Sequence, residues 1–128
     1  MVLVIAGLFF MGRESATTVA SRFMSALAKQ DPEEISKSSF IGTKTPEEAK
    51  AAWKKTFEYT KHYAFEWYVS GSSQPDEKNA MVKLQVRGNA DSSASYDEKF
   101  DLALRKVDGK WLVDVRAISH DMYPALPK

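Results

Sequence analysis

The chain contains no cysteine, so it forms no disulfide and has neither a thiolate nucleophile nor a lipid-modified N-terminal cysteine. Histidine is nearly as scarce. His62 and His120 stand far apart with no carboxylate-rich helix between them, so no metal site is expected, and no cofactor. An excess of either charge is also missing. Eighteen Lys and Arg oppose 17 Asp and Glu, the net charge is +1, and no block of like charge occurs. A nucleic-acid partner is therefore not expected. No apolar run reaches the roughly 20 residues that span a bilayer. What remains is ordinary for a globular domain: 128 residues, 44% hydrophobic and 27% charged, one domain with one core.

The longest apolar run is Val2–Met11 (VLVIAGLFFM), which carries no charge. At about half a membrane span, and without the basic residues that precede a signal core, it allows three readings. It is the outer half of a transmembrane anchor that begins upstream of Met1, an unusual signal sequence, or a buried element of the domain. Gly12-Arg13-Glu14-Ser15 reads as an exit from an apolar layer into water. Residues 1–13 are accordingly set apart, residues 14–119 form the domain, and residues 120–128 form a tail. The expected location is at a membrane with the domain outside the cytoplasm. Secreted and cytoplasmic locations are the alternatives.

The strongest local signal is Tyr96–Ile118, two alternating runs about Asp108-Gly109. That dipeptide favours a two-residue hairpin turn. One register sets Leu104 against Val113, Leu102 against Val115 and Phe100 against Ala117. It also sets Asp101 against Arg116, with Arg105 diagonal to Asp114. Apolar residues then share one face and opposite charges the other. A one-residue slip would reverse every side chain.

Helical signals fill the N-terminal half. Ser15 caps a helix running to about Lys29, with Ala16, Val19, Ala20, Phe23, Leu27 and Ala28 in one stripe. Asp31-Pro32-Glu33-Glu34 starts a short helix with Ile35 inward, followed by an apolar plug at Phe40-Ile41. Thr45-Pro46-Glu47-Glu48 starts a third, running to about Thr60 with Ala49, Ala52, Trp53, Thr56 and Phe57 on one side. From His62 the period becomes two. Tyr63, Phe65, Trp67 and Val69 alternate with His62, Ala64, Glu66 and Tyr68. Residues 70–76 read as a loop, and Ala80, Val82, Leu84 and Val86 share one face of the next strand. The pattern predicts an α+β fold. Three helices pack on a curved antiparallel sheet of four strands, or five if Ser39-Phe40-Ile41 adds a fragment.

The first helix, the acidic start Asp31-Pro32-Glu33-Glu34 and the ending Leu104-Arg105-Lys106-Val107-Asp108-Gly109-Lys110-Trp111-Leu112-Val113 resemble the nuclear transport factor 2-like superfamily, the cystatin-like cone. The likeness covers about Glu14 to Ile118. It is greatest to small bacterial members of unassigned role behind a membrane anchor or lipoprotein signal. It implies a sheet curved into a cone around a pocket, and domains that commonly dimerise through the sheet. It does not imply one activity, because the superfamily includes isomerases, dehydratases, transport adaptors and secretion-system scaffolds.

Enzymes of that superfamily place an acid–base Asp or His in the cone. Here no inward Asp is flanked by apolar residues, so no catalytic residue is assigned. Asp97 and Asp101 read as surface ion-pair partners, and His62 as a solvated or capping residue. Candidates for a pocket or ligand contact are Trp53, Phe57, His62, Tyr63, Trp67 and Tyr96. Those for an interaction surface are Tyr68, Met81, Lys83, Asp101 and Arg116, with Tyr68 and Met81 expected side by side. The expected function is a non-enzymatic, membrane-tethered domain that binds a protein partner or a second copy through the outer sheet face. The alternatives are a small-molecule binder or weak lyase or isomerase using the cone, and a structural part of a secretion or conjugation apparatus.

Overall fold

A computed structural model describes residues 15–88 and 97–128. Its elements are α1 (Ala16–Lys29), α2 (Pro32–Lys37), β1 (Ser39–Phe40), α3 (Pro46–Tyr59), β2 (Phe65–Ser73), β3 (Asn79–Gly88), β4 (Glu98–Val107) and β5 (Lys110–Asp114), then a 3₁₀ turn at Val115–Ala117. Each helix starts on its predicted cap. The Ser15, Asp31 and Thr45 side chains accept from the backbone N–H three residues on. At α3 the Glu48 carboxylate accepts in return from the Thr45 N–H at 2.9 Å, which completes a capping box and holds its carboxyl below the usual range. Met24 and Ala26 join the buried stripe of α1, and Ala28 faces solvent.

The sheet has five strands in the order β1-β5-β4-β3-β2. Four run antiparallel. The fifth, β1, pairs parallel to β5 and makes the sheet mixed. α1 lies across it, touching β2, β3, β4 and β5, while α3 packs on α2. Val82, Leu84, Val86, Leu102, Leu104, Trp111 and Val113 form the buried face beneath.

The Asp108-Gly109 hairpin has the expected register, Leu104 opposite Val113 and Lys106 opposite Trp111, with positive φ at both turn residues (51° and 81°). The pairing stops earlier than predicted. β5 ends at Asp114, so Leu102 and Phe100 pair only with β3, and Asp101 and Arg116 never meet. Val115 and Ile118 stay buried as the chain turns to carry its last residues back to the helices. A second difference lies in β2. It runs on through Ser73 where turn-forming residues predicted a loop, with a bulge between Val69 and Gly71. Ladder bonds to β3 outweigh the local preference of Ser and Gly. In this ladder Tyr68 stands opposite Gln85 and Met81 opposite Ser73, and Gln85 and Met81 are four residues apart along β3. At about 3.4 Å per residue these side chains lie roughly 13 Å apart along the sheet rather than adjacent.

Two consequences are measurable. Gly109→Ala places a Cβ at φ +81° and should lower stability by about 1–2 kcal/mol in urea unfolding, with the fold retained. The β2–β3 connection depends on Asp76, whose carboxylate accepts from the Asn79 side chain and from the Lys78 and Asn79 backbone N–H groups. These bonds, the Asn79 side chain first, hold its carboxyl below the ordinary value of 3.8. Its contribution is therefore complete above that value and lost as pH falls through the lowered one. Asp76→Asn should reduce the urea midpoint at pH 7, and the gap to the wild type should close as the pH is taken down through the carboxylate range.

Candidate functional site

In a cone fold a site can lie inside, between helices and sheet, or outside, on the free sheet face. The inside is built from α1, α3, β2 and the C-terminal segment. Trp53, fully buried on α3, stacks on Phe57 at 5.6 Å and meets the edge of Phe23 from α1 at 5.9 Å. The helical spacing of Trp53 and Phe57 puts both on the face that meets α1. The Trp53 indole N–H is buried without a hydrogen-bond partner among the described residues.

Tyr123 enters from the C-terminal segment and is 1% exposed. Its ring packs edge-on against Tyr63 (5.3 Å) and Phe65 (5.7 Å). Its hydroxyl lies 2.8 Å from the Thr60 hydroxyl and accepts from the Gln30 amide at 3.3 Å. Gln30 and Thr60 are the C-caps of α1 and α3, and the Gln30 amide also donates to the Thr60 carbonyl at 2.6 Å. One helical turn further back, the Thr56 hydroxyl donates to the Ala125 carbonyl at 2.8 Å. Met122 and Leu126 are buried beside them. Residues 122–126 thus pack against the ends of the helices. Burial raises the Tyr63 phenol above its ordinary value, with Tyr123 and Glu98 adding to the effect.

The predicted pocket residues consequently divide. Trp53 and Phe57 are packed into the core, Tyr63 and Trp67 are half-buried against it, and His62 is exposed beyond the end of α3. Tyr96 lies outside the described residues. Tyr123, which organises this region, carried no signal beyond an apolar spacing in the last ten residues. A buried hydroxyl with two partners is a tertiary property.

The outer face carries Glu66, Tyr68, Lys83, Arg87, Lys99, Asp101 and Arg105, all exposed. Among the described residues no helix covers it. Tyr68 is 51% exposed, and its hydroxyl donates to the Gln85 carboxamide. Lys83 stands opposite Asp101, and Met81 opposite Ala103. Arg105 bonds Asp114 at 3.0 Å, the diagonal pair expected, and Arg87 bonds Asp97 at 3.0 Å. Ser70, Lys83, Gln85, Lys99 and Asp101 line a recess of about 480 Å³ on this face. Of the interaction candidates, Lys83 and Asp101 line it and Tyr68 bonds Gln85 in its lining, while Met81 lies further along. Arg116 lies off the sheet, its guanidinium against Gly42. Among the described residues no cluster of His, Cys, Asp and Glu has the arrangement of a metal site.

Tyr123→Phe removes the hydroxyl that joins the two helix caps. It should cost about 1–2 kcal/mol in equilibrium unfolding, a loss larger than that of any single exposed ion pair on the outer face.

No family model and no curated protein matches the chain. Solved structures do match in fold. A ketosteroid isomerase-like protein from Erwinia carotovora atroseptica is 14% identical, with 75% of this chain and 85% of that one covered and a TM-score of 0.51. A domain of unknown function with a cystatin-like fold from Nostoc punctiforme is 13% identical, with 77% and 70% covered and a TM-score of 0.55. An NTF-2 like protein of unknown function from Shewanella oneidensis is 15% identical, with 75% and 88% covered and a TM-score of 0.53. The three helices on a curved sheet are therefore the NTF2-like, cystatin-like fold.

Proposed function

We propose that this chain is a non-enzymatic binding domain that associates through the outer face of its sheet with a second copy or a protein partner. In this reading the apolar segment 2–11 tethers it to a membrane, with the domain outside the cytoplasm. The observation that carries the proposal is the packing around Tyr123. Where cone-fold enzymes house a substrate, this chain places its own aromatic and apolar side chains, and hydrogen bonds satisfy the one hydroxyl among them that reaches the helix caps. A general base must reach its proton inside a desolvated site. Both histidines, His62 and His120, are exposed instead.

The outer face has the opposite character. It offers an amphipathic Tyr68 beside mixed charges, Lys83 and Lys99 against Asp101 and Glu66. Tyrosine suits a contact that is apolar on one side and hydrogen-bonded on the other. Interspersed charges of both signs let the surface match a copy of itself turned about a two-fold axis. The tether rests on the composition of residues 2–11, which lie outside the described residues. Among the described residues no helix is long and apolar enough to cross a membrane.

Sedimentation equilibrium of the full chain in mild detergent tests the association. Dimers should form at high micromolar protein, and Tyr68→Glu should weaken them on the order of tenfold while the circular dichroism spectrum stays unchanged. A strict monomer, or a dimer indifferent to Tyr68→Glu and likewise to Lys83→Glu, would refute the self-association reading.

A further inference from the structure

The end of the chain forms a recess of about 180 Å³, separate from the outer sheet face. Its floor is apolar: Val115 from the 3₁₀ turn, Ile118 just beyond it and Leu126 near the C-terminus, each no more than 6% exposed. Its rim is basic. Arg116, His120 and Lys128 line it, and no Asp or Glu does. Among the described residues these three side chains make no ion pair and no hydrogen bond. The arginines of the sheet behave differently: Arg87 and Arg105 each hold a carboxylate at 3.0 Å. The Arg116 guanidinium is nevertheless placed. It lies over Gly42, where a Cβ would stand 2.8 Å from its Nη1, so the bare backbone at that position leaves room for it.

We infer that this recess binds a small organic carboxylate. The guanidinium presents its paired N–H groups to both carboxylate oxygens, a geometry an ammonium cannot offer. The His120 ring N–H adds a donor from the rim. The apolar body of the ligand covers Val115, Ile118 and Leu126. That floor selects against inorganic anions, which gain nothing from hydrocarbon and lose hydration there. The volume holds one ring or a short alkyl chain, below the size of most cofactor sites.

Benzoate is a suitable probe, with benzamide as its uncharged counterpart of the same shape. Titration of the full chain at constant ionic strength, followed by amide chemical shifts, should give saturable movement at Ile118, His120 and Leu126. Benzamide should leave these signals in place. Arg116→Gln should weaken benzoate on the order of tenfold while the remaining spectrum reports an intact fold. Shifts that fail to saturate, equal shifts with benzamide, or unchanged affinity in Arg116→Gln would each overturn the assignment. These results are independent of whether the outer sheet face associates.

Discussion

Two helices end at the same place, and the C-terminal segment closes over both ends. A helix C-terminus leaves carbonyl groups without partners. Here the left-handed Gln30 at the end of α1 returns its backbone N–H to Ala26 and Leu27, and its side chain crosses to the carbonyl of Thr60 at the end of α3. Tyr123 then completes the arrangement through its hydroxyl. The Tyr63 and Phe65 rings pack on Tyr123, and the bond between its hydroxyl and Thr60 is buried from water. The relative position of α1 and α3 over the sheet depends on this junction, and with it the packing of Trp53 between them.

Such a junction changes what the cone can do. An interior that serves a substrate must expose polar groups toward an open space and exclude water only when filled. Tyr123 spends its hydroxyl on the helix caps and its ring on Tyr63 and Phe65. Removing such a side chain from a packed site costs about 3–5 kcal/mol, a large part of the stability of a domain this size. A ligand would have to repay that cost to take its place. The outer face asks no such exchange, because Tyr68 and its charged neighbours already meet solvent.

Features decided within a few residues were legible in the sequence. The caps at Ser15, Asp31 and Thr45 require only a side chain and an N–H three positions on. The Asp108-Gly109 turn requires only two residues that tolerate positive φ. Features set by distant partners were not. The pairing of β1 with β5 is parallel because Ser38 and Ser39 arrive beside Val113 after two helices, with the Val113 N–H donating to the Ser38 carbonyl. The alternation of Leu112 to Ile118 continues past Asp114, so nothing local marks where the strand yields to the 3₁₀ turn. β2 continues through Ser70–Ser73, so its turn to β3 falls later than the loop formers indicate, and the ladder puts Tyr68 opposite Gln85, well away from Met81. The deciding pairings lie between separate strands and not within the local stretch of chain.

The division between the two surfaces follows from how polar groups are paired. On the outer face, exposed pairs such as Arg87 with Asp97 add little to stability, about 0–1 kcal/mol each, and so can exchange partners at small cost. A surface of that kind is suited to association, where charges choose the partner and its orientation more than they set the affinity. At the helix ends, the Thr60 and Tyr123 hydroxyls are withdrawn from water and the half-buried Gln30 amide joins them, so losing one partner leaves buried groups unpaired. The same chain thus carries replaceable polar contacts on one side of its sheet and irreplaceable ones on the other. The fold is held by the C-terminal closure, so the sheet face can vary its charges while the packing beneath it is kept.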